Sequence, residues 1–341
     1  MITSKPLMIT SEGVVSTGMG SWPGTDMTDA LKITFAECPD LPYLPELPAR
    51  GPWADLIGRG ASILIGLGID LQPAGWRLTD VSSRDHRRAI GTLRSDLDQL
   101  EEIAQGYDGP VKIALTGPWT LAGSLEHPRG DKVLADTGAR REVVQSLEQG
   151  IVELATELRR RLPATSVIIQ LDEPSLPAVL GGDIATASGL GRHRAVDIPE
   201  VSTAYTRLIE RLGETPVIVH CCAPGAPIEL LATAGVSALA LDLSLLGTAD
   251  WDALGIALED GHWLLAGALP TTEPTSAPRT ADQVAATVLG PIRRLELPPE
   301  FSTHTVVTPA CGLAGFSRTA AISALRTIRT AAGIVGEGLY D

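Results

Sequence analysis

The sequence predicts an α/β fold, a single (β/α)8 TIM barrel with long loops at the C-terminal face of its strands, forming one unit over residues 1–341. Short apolar or β-branched runs alternate with helical stretches from one end to the other, which is the pattern of a parallel sheet with crossover helices. Eight such runs follow one another along the chain, the number that closes a barrel, and 341 residues hold one barrel with insertions. The unusual polar residues fall where the runs stop, the face on which barrels place their chemistry.

In chain order the predicted strands are Val14–Gly18, Gly75–Leu78, Val111–Leu115, Val167–Leu171, Pro216–Val219, Ala238–Leu241, Trp263–Gly267 and Thr305–Thr308. Helices are predicted between them over Asp55–Gly66, Arg84–Gln105, Ala139–Arg161, Ile198–Leu212, Ala226–Ala234, Ala281–Leu295 and Ser317–Ala332. The third of these carries a stripe of Val143, Val144, Leu147, Ile151, Leu154 and Leu158 at helical spacing, the mark of a core-facing side. Gly75–Leu78 has the least strand character. The stretch Cys38–Pro52 (CPDLPYLPELPARGP) has too many prolines for a helix or a central strand, and reads as an ordered loop after the first barrel helix. Such a loop is more often part of a site than a linker. Gly181–Asp197 is a second long connection, suited to a lid.

Composition narrows the function classes. A net charge of −14 disfavours nucleic acid and anionic membranes as partners. No apolar run reaches the roughly 18 residues of a membrane span, and the amino terminus lacks the apolar stretch of a signal peptide. The cysteines, Cys38, Cys221, Cys222 and Cys311, are spaced poorly for disulfides and point to a reducing, cytoplasmic setting. Cys38 and Cys221 read as small buried hydrophobes.

The strand ends carry a specific set. The first strand runs into Gly20-Ser21-Trp22-Pro23, the third into Thr116-Gly117-Pro118, the fourth into Asp172-Glu173-Pro174, the fifth into His220-Cys221-Cys222, the sixth into Asp242 and the last into Cys311-Gly312. At i and i+2 of an extended backbone, His220 and Cys222 point the same way and Cys221 the other. An imidazole and two thiolates suit zinc, with a fourth position left to a carboxylate or a substrate. Ligands on separate strand ends are those of a catalytic site rather than a zinc finger. On spacing alone, a packed strand end and an unrelated buried thiol explain the same residues equally well.

Adjacent sequences add a resemblance. TGMGSWPGT around Gly20, LTGPWTLAGS at Leu115, VIIQLDEPSLP at Val167, VIVHCCAPG around His220, ALALDLS around Asp242 and TPACGLAGFSRTAAISALRTIRTAA around Cys311 resemble, in order, the carboxy-terminal barrel of the cobalamin-independent methionine synthase family. The resemblance implies that His220, Cys222 and Cys311 bind Zn²⁺, that homocysteine enters the open position, and that its thiolate takes a methyl group. It also implies that Asp172 holds the substrate ammonium and that the backbone at Gly20 and Ser21 receives its carboxylate. Glu46, in the Pro-rich loop, is a second candidate for the ammonium.

The chain departs from the family pattern at three places. Asp242 stands where the family has a glutamate; it either ligates zinc or orients His220 from behind. The family's histidine after the seventh strand is absent, and Glu273 is the candidate to replace it. The aromatic that stacks on folate has no counterpart in Gly123-Ser124-Leu125. The methyl donor is therefore a methyl-folate or a methyl-corrinoid, either methylcobalamin or a methylated corrinoid protein. Competing readings are a corrinoid-linked methyltransferase acting on another thiol and a degenerate zinc-binding barrel. His86 and His193 read as solvated, and His262 and His304 as residues of the barrel's far end.

Overall fold

Strand β1 (Val15–Ser16) and helix α1 (Met27–Glu37) lead into β2 (Tyr43–Leu44), α2 (Leu56–Ser62) and a hairpin of β3 (Gly68–Gln72) and β4 (Gly75–Thr79). There follow α3 (Arg84–Ile103), β5 (Pro110–Thr116), α4 (Pro118–Ser124), α5 (Thr137–Arg161), β6 (Ser166–Asp172), α6 (Leu176–Gly181) and α7 (Ile198–Leu212). The chain continues through β7 (Val217–Cys221), α8 (Ile228–Thr233), β8 (Ala238–Asp242), α9 (Thr248–Glu259), β9 (Trp263–Leu269), α10 (Ala281–Arg294), β10 (Thr305–Pro309) and α11 (Arg318–Tyr340). This computed structural model describes residues 5–9, 13–128, 130–271, 278–297 and 304–340.

Eight parallel strands lie in the order β1-β10-β9-β8-β7-β6-β5-β2 and curl into a TIM-like barrel. Its two edges meet just past their strands, where Ser21 and Glu46 form a parallel bridge. Glu46 N–H donates to the Gly20 carbonyl (3.0 Å) and Trp22 N–H to that of Glu46 (2.8 Å).

The alternation along each strand sorts side chains into two cores. Val111, Ile113, Leu115, Val167, Ile169, Leu171, Val217 and Val219 pack outward under the helices. Ile168, Ile218, Ala238, Ala240, Leu265 and Val306 fill the interior with Val15 and Met19. The predicted stripe of α5 is buried along its whole length, from Val143 to Leu158. The amino-terminal segment closes the end where the strands begin: Leu7 is fully buried in the interior cluster, and Lys5 Nζ donates to the Ile209 and Gly213 carbonyls.

The structure corrects the second strand. Gly75–Leu78 lies in β4, paired antiparallel with β3 outside the barrel. The barrel's second strand is instead Tyr43–Leu44, inside the Pro-rich stretch expected to be a loop. Its prolines do not interrupt the pairing, because Pro42 is used only through its carbonyl, which accepts the Lys112 N–H at 2.9 Å. A lost donor matters only where a ladder needs it. Helix α9 was not predicted; its N-cap is Gly247, which offers no side-chain signal, and the Asp250 carboxylate accepts the Gly247 N–H instead (2.8 Å).

Two histidines expected in solvent are buried. His86 is 3% exposed on the inner side of α3, and His193 is 8% exposed with its Nε2 3.0 Å from Asp131. In both cases the flanking arginines suggested a solvated segment, whereas the histidine itself faces inward. Among the described residues no helix is long and apolar enough to cross a membrane.

Candidate active site

The site is assembled at the ends of β1, β2, β6, β7 and β10, beginning with the register of β6 and β7. Asp172 pairs with His220 across these strands. Both side chains point inward, and His220 Nδ1 lies 2.9 Å from Asp172 Oδ1. Cys222 follows one residue past β7, and Cys311 two residues past β10. Their Sγ atoms are 3.3 Å apart. Among the described residues, His220, Cys222 and Cys311 form the one group of potential metal ligands, with ligand atoms all within 4.8 Å of one another. Cys221 faces the outer core, as its position in the strand requires, and Cys38 is buried there too.

These groups line a cavity of about 250 Å³, whose wall also includes Met19, Ser21, Glu46, Asp55, Asp172 and Gly312. Gly20 stands behind the wall. Its φ of +141° puts it in a region side chains avoid, and an added Cβ would lie 3.2 Å from that of Ala114. Ser21 is held on both sides, by the bridge to Glu46 and by its carbonyl accepting the Leu313 N–H at 2.8 Å. Gly312 leaves room for Ser21, whose Oγ would lie 1.9 Å from any Cβ there.

Charge within the cavity is set by burial and by neighbours. The Cys222 and Cys311 sulfurs share a hydrogen bond in which either can be the donor. That hydrogen bond, with His220 adjacent, holds Cys311 below the usual thiol range against the effect of burial. The same bond, with burial, pushes Cys222 upward, so the two thiols titrate as a pair. Burial alone would lower the His220 imidazole, but the hydrogen bond and charge of Asp172 outweigh it and leave it raised. Burial pushes Glu46 up to about 8 despite the pull of Arg59.

Two other expected site residues are not brought into the group. Asp242 Oδ1 accepts from the N–H (2.9 Å) and Oγ (2.7 Å) of Ser244, and its carboxylate is not among the clustered ligand atoms. Glu273 lies outside the described residues.

Three contributors were missed in the sequence. Glu173 is fully buried and accepts from Trp119 N (3.0 Å), Thr120 N (2.7 Å), Thr120 Oγ1 (2.7 Å) and Tyr205 Oη (2.7 Å). A Cβ on Gly117 would lie 2.3 Å from it. The Gly-Pro-x-Thr and Asp-Glu-Pro segments are thus two halves of one lock that fixes the end of β6. Lys112 and Gln170 form the floor: Lys112 Nζ donates to Gln170 Oε1, and Gln170 Nε2 donates to Met19 O (2.7 Å) and Asp172 Oδ1 (2.6 Å). Burial lowers Lys112 to about 8, while Asp172 pulls the other way. A lone lysine in the apolar run VKIAL was the available signal.

Comparison with known families gives a match over residues 99–334 to the model described as cobalamin-independent synthase, catalytic domain. The chain belongs to this family. The matched region holds Asp172, His220, Cys222, Asp242 and Cys311, whereas Gly20, Ser21 and Glu46 precede it. Among solved structures, the chain is similar to a B12-independent methionine synthase from Shewanella sp. W3-18-1 in complex with selenomethionine. That likeness has a TM-score of 0.61 at 15% identity, over 96% of this chain and 99% of the other, and it supports the barrel fold. A comparison with curated proteins finds no match.

Proposed function

We propose that this chain is a zinc-dependent S-methyltransferase that converts homocysteine to methionine, its 341 residues acting as one catalytic barrel. The observation that carries this reading is the convergence of His220, Cys222 and Cys311 within 4.8 Å in a cavity also lined by carboxylates. One imidazole and two thiol sulfurs make a donor set suited to zinc. Asp242 is occupied by Ser244, so three protein ligands are assigned and the fourth position is left to the substrate sulfur.

Bound zinc would supply one thing, a lowered thiol pKa that makes the thiolate available at neutral pH. The protein's own groups then orient the substrate. Asp172, at the end of β6, and Glu46, just past β2, both line the cavity, where they would receive the amino acid's ammonium group. Burial favours the neutral form of Glu46, and an arriving ammonium would draw it into its charged form. Backbone at Gly20 and Ser21 would receive the carboxylate. The sulfur attacks the methyl carbon in line: the S–C bond forms as the bond from carbon to the donor nitrogen breaks, the thiol proton is lost to solvent, and the leaving nitrogen takes up one proton from solvent. A methyl-folate is the donor assigned, in keeping with the family's cobalamin-independent description. A reducing cytoplasm would keep Cys222 and Cys311 from joining as a disulfide.

The test is metal content and turnover of the wild type beside Cys311→Ala and His220→Ala. The expected result is about one zinc per chain in the wild type, lost in both variants. Homocysteine should shift the absorption of a cobalt-substituted sample, and methyl-folate should support methionine formation. Absence of zinc from zinc-supplemented wild type would overturn the reading. Turnover with methylcobalamin but not methyl-folate would keep the site and replace the donor.

A further inference from the structure

Lysine is an expensive residue to place inside a barrel. Lys112 is fully buried on the inner face of β5, and among the described residues it has no salt-bridge partner. Its ammonium meets two groups, the Gln170 side-chain oxygen and the face of the Tyr43 ring, whose centroid is 5.3 Å away. Were this position only a filler, an apolar side chain such as that of neighbouring Ile168 or Met19 would serve at lower cost.

The hydrogen-bonding chemistry of the four groups leaves one arrangement. An ammonium can only donate, so the Gln170 amide must turn its oxygen to Lys112. Its NH2 then faces two groups that can only accept, the Met19 carbonyl at 2.7 Å and Asp172 Oδ1 at 2.6 Å. The same Asp172 oxygen lies 2.9 Å from His220 Nδ1. The Asp172 oxygen that accepts from the Gln170 amide accepts from Nδ1 as well, so Nδ1 carries a proton, and Nε2, 3.4 Å from the Ala310 carbonyl, is the nitrogen left for a metal. The chain runs from Lys112 through Gln170 and Asp172 to His220.

We infer that Lys112 is a positioning residue for the metal centre: by orienting the Gln170 amide it fixes the Asp172 carboxylate, and through it the His220 tautomer that offers Nε2 as the ligand. This rests on the zinc-site reading above. Without Lys112 the amide oxygen loses its donor, and the orientation beneath the site is held only by the Met19 carbonyl and by Asp172 itself.

The measurement is zinc affinity by competition with a chromophoric chelator, with thermal unfolding as the control for folding. The samples are wild type, Lys112→Met, Gln170→Leu, the double variant and Gln170→Glu. Each single change should weaken zinc roughly tenfold or more, the usual effect of losing a group behind a ligand. Because Lys112 acts through Gln170, the double variant should be no weaker than Gln170→Leu alone. A structural role would give additive losses that track unfolding temperature. Gln170→Glu keeps the buried lysine paired, so it serves if Lys112→Met does not fold. It removes the donor to Asp172 and should weaken zinc at least as much as Gln170→Leu. Wild-type zinc affinity in folded Lys112→Met or in Gln170→Glu, or additive losses in the double variant, would overturn the inference while leaving the zinc site intact. No zinc in the wild type would instead overturn the functional reading on which it rests.

Discussion

Glu46 shows how much one side chain's surroundings decide. Its carboxyl is buried at the point where the barrel edges meet, and burial raises it to about 8 although Arg59 acts against this. A raised pKa means the native state holds this proton after the unfolded chain, near the ordinary 4.5, has released it. Stability from this group is therefore complete below about pH 4.5 and is lost as pH rises toward 8. In metal-free protein, the wild type should lose stability relative to Glu46→Gln across that window, with a slope of at most about 1.4 kcal/mol per pH unit. Urea unfolding of both proteins at several pH values measures the difference, in which the titrations of the shared cysteines and histidines cancel. Parallel curves would mean that Glu46 ionises freely in the folded protein. The same variant should raise KM for homocysteine more than it lowers kcat, since the carboxylate is assigned to binding. Glu46 was visible in the sequence as a candidate because it sat in a Pro-rich loop of barrel length. The burial that sets its charge was not visible, since it depends on Ser21, a residue of another strand.

Helices and strands were legible in proportion to how much of their pattern is local. The stripe of α5 announces its buried side residue by residue, and seven of the eight predicted strands lie in the barrel. The second strand escaped because only two residues, Tyr43 and Leu44, pair with β5, and proline content hid them. Whether a proline obstructs a ladder depends on which neighbour asks for its N–H, which is tertiary information. Glycines inside helices make the same point testable. Gly91 in α3 and Gly150 in α5 both lower helix propensity, and local reasoning predicts that alanine stabilises each by about 0.5–1 kcal/mol. At Gly91 an added Cβ meets nothing within 4 Å, so that gain should be realised. At Gly150 it would lie 1.8 Å from the Ile63 carbonyl oxygen. Helix α5 would have to move away from the end of α2, and a loss of roughly 1–3 kcal/mol is expected. Thermal unfolding of the two variants should therefore shift in opposite directions. A stabilised Gly150→Ala would show that α5 does not press on Ile63.

At the scale of the whole molecule, the barrel separates what holds it together from what it does. The grouped metal ligands and the carboxylates lie where the strands end, and the opposite end is sealed by the amino-terminal segment. The metal-ligand candidates were legible because their chemistry is in their names: a His-x-Cys at a strand end and a distant Cys at another suit one ion. The seal was not legible, because Leu7 belongs to no periodic element and its neighbours Val15, Ile168, Ile218 and Val306 come from four different strands. The Lys112–Gln170 floor was missed for the same reason, as the two residues meet only once β5 and β6 are paired. This separation has a consequence that stability and function together can test. Leu7→Ala opens a void at the sealed end and should cost about 2–5 kcal/mol, as for other buried leucines. Interior side chains between that end and the cavity, from Ile168 up to Gln170 and Asp172, are packed in fixed positions along one strand. In the folded variant, zinc affinity and KM for homocysteine should accordingly stay at wild-type values. Chemical denaturation paired with chelator competition measures both quantities on one preparation. A large loss of zinc affinity in folded Leu7→Ala would mean that the two ends are mechanically coupled, and that the seal helps to hold the site.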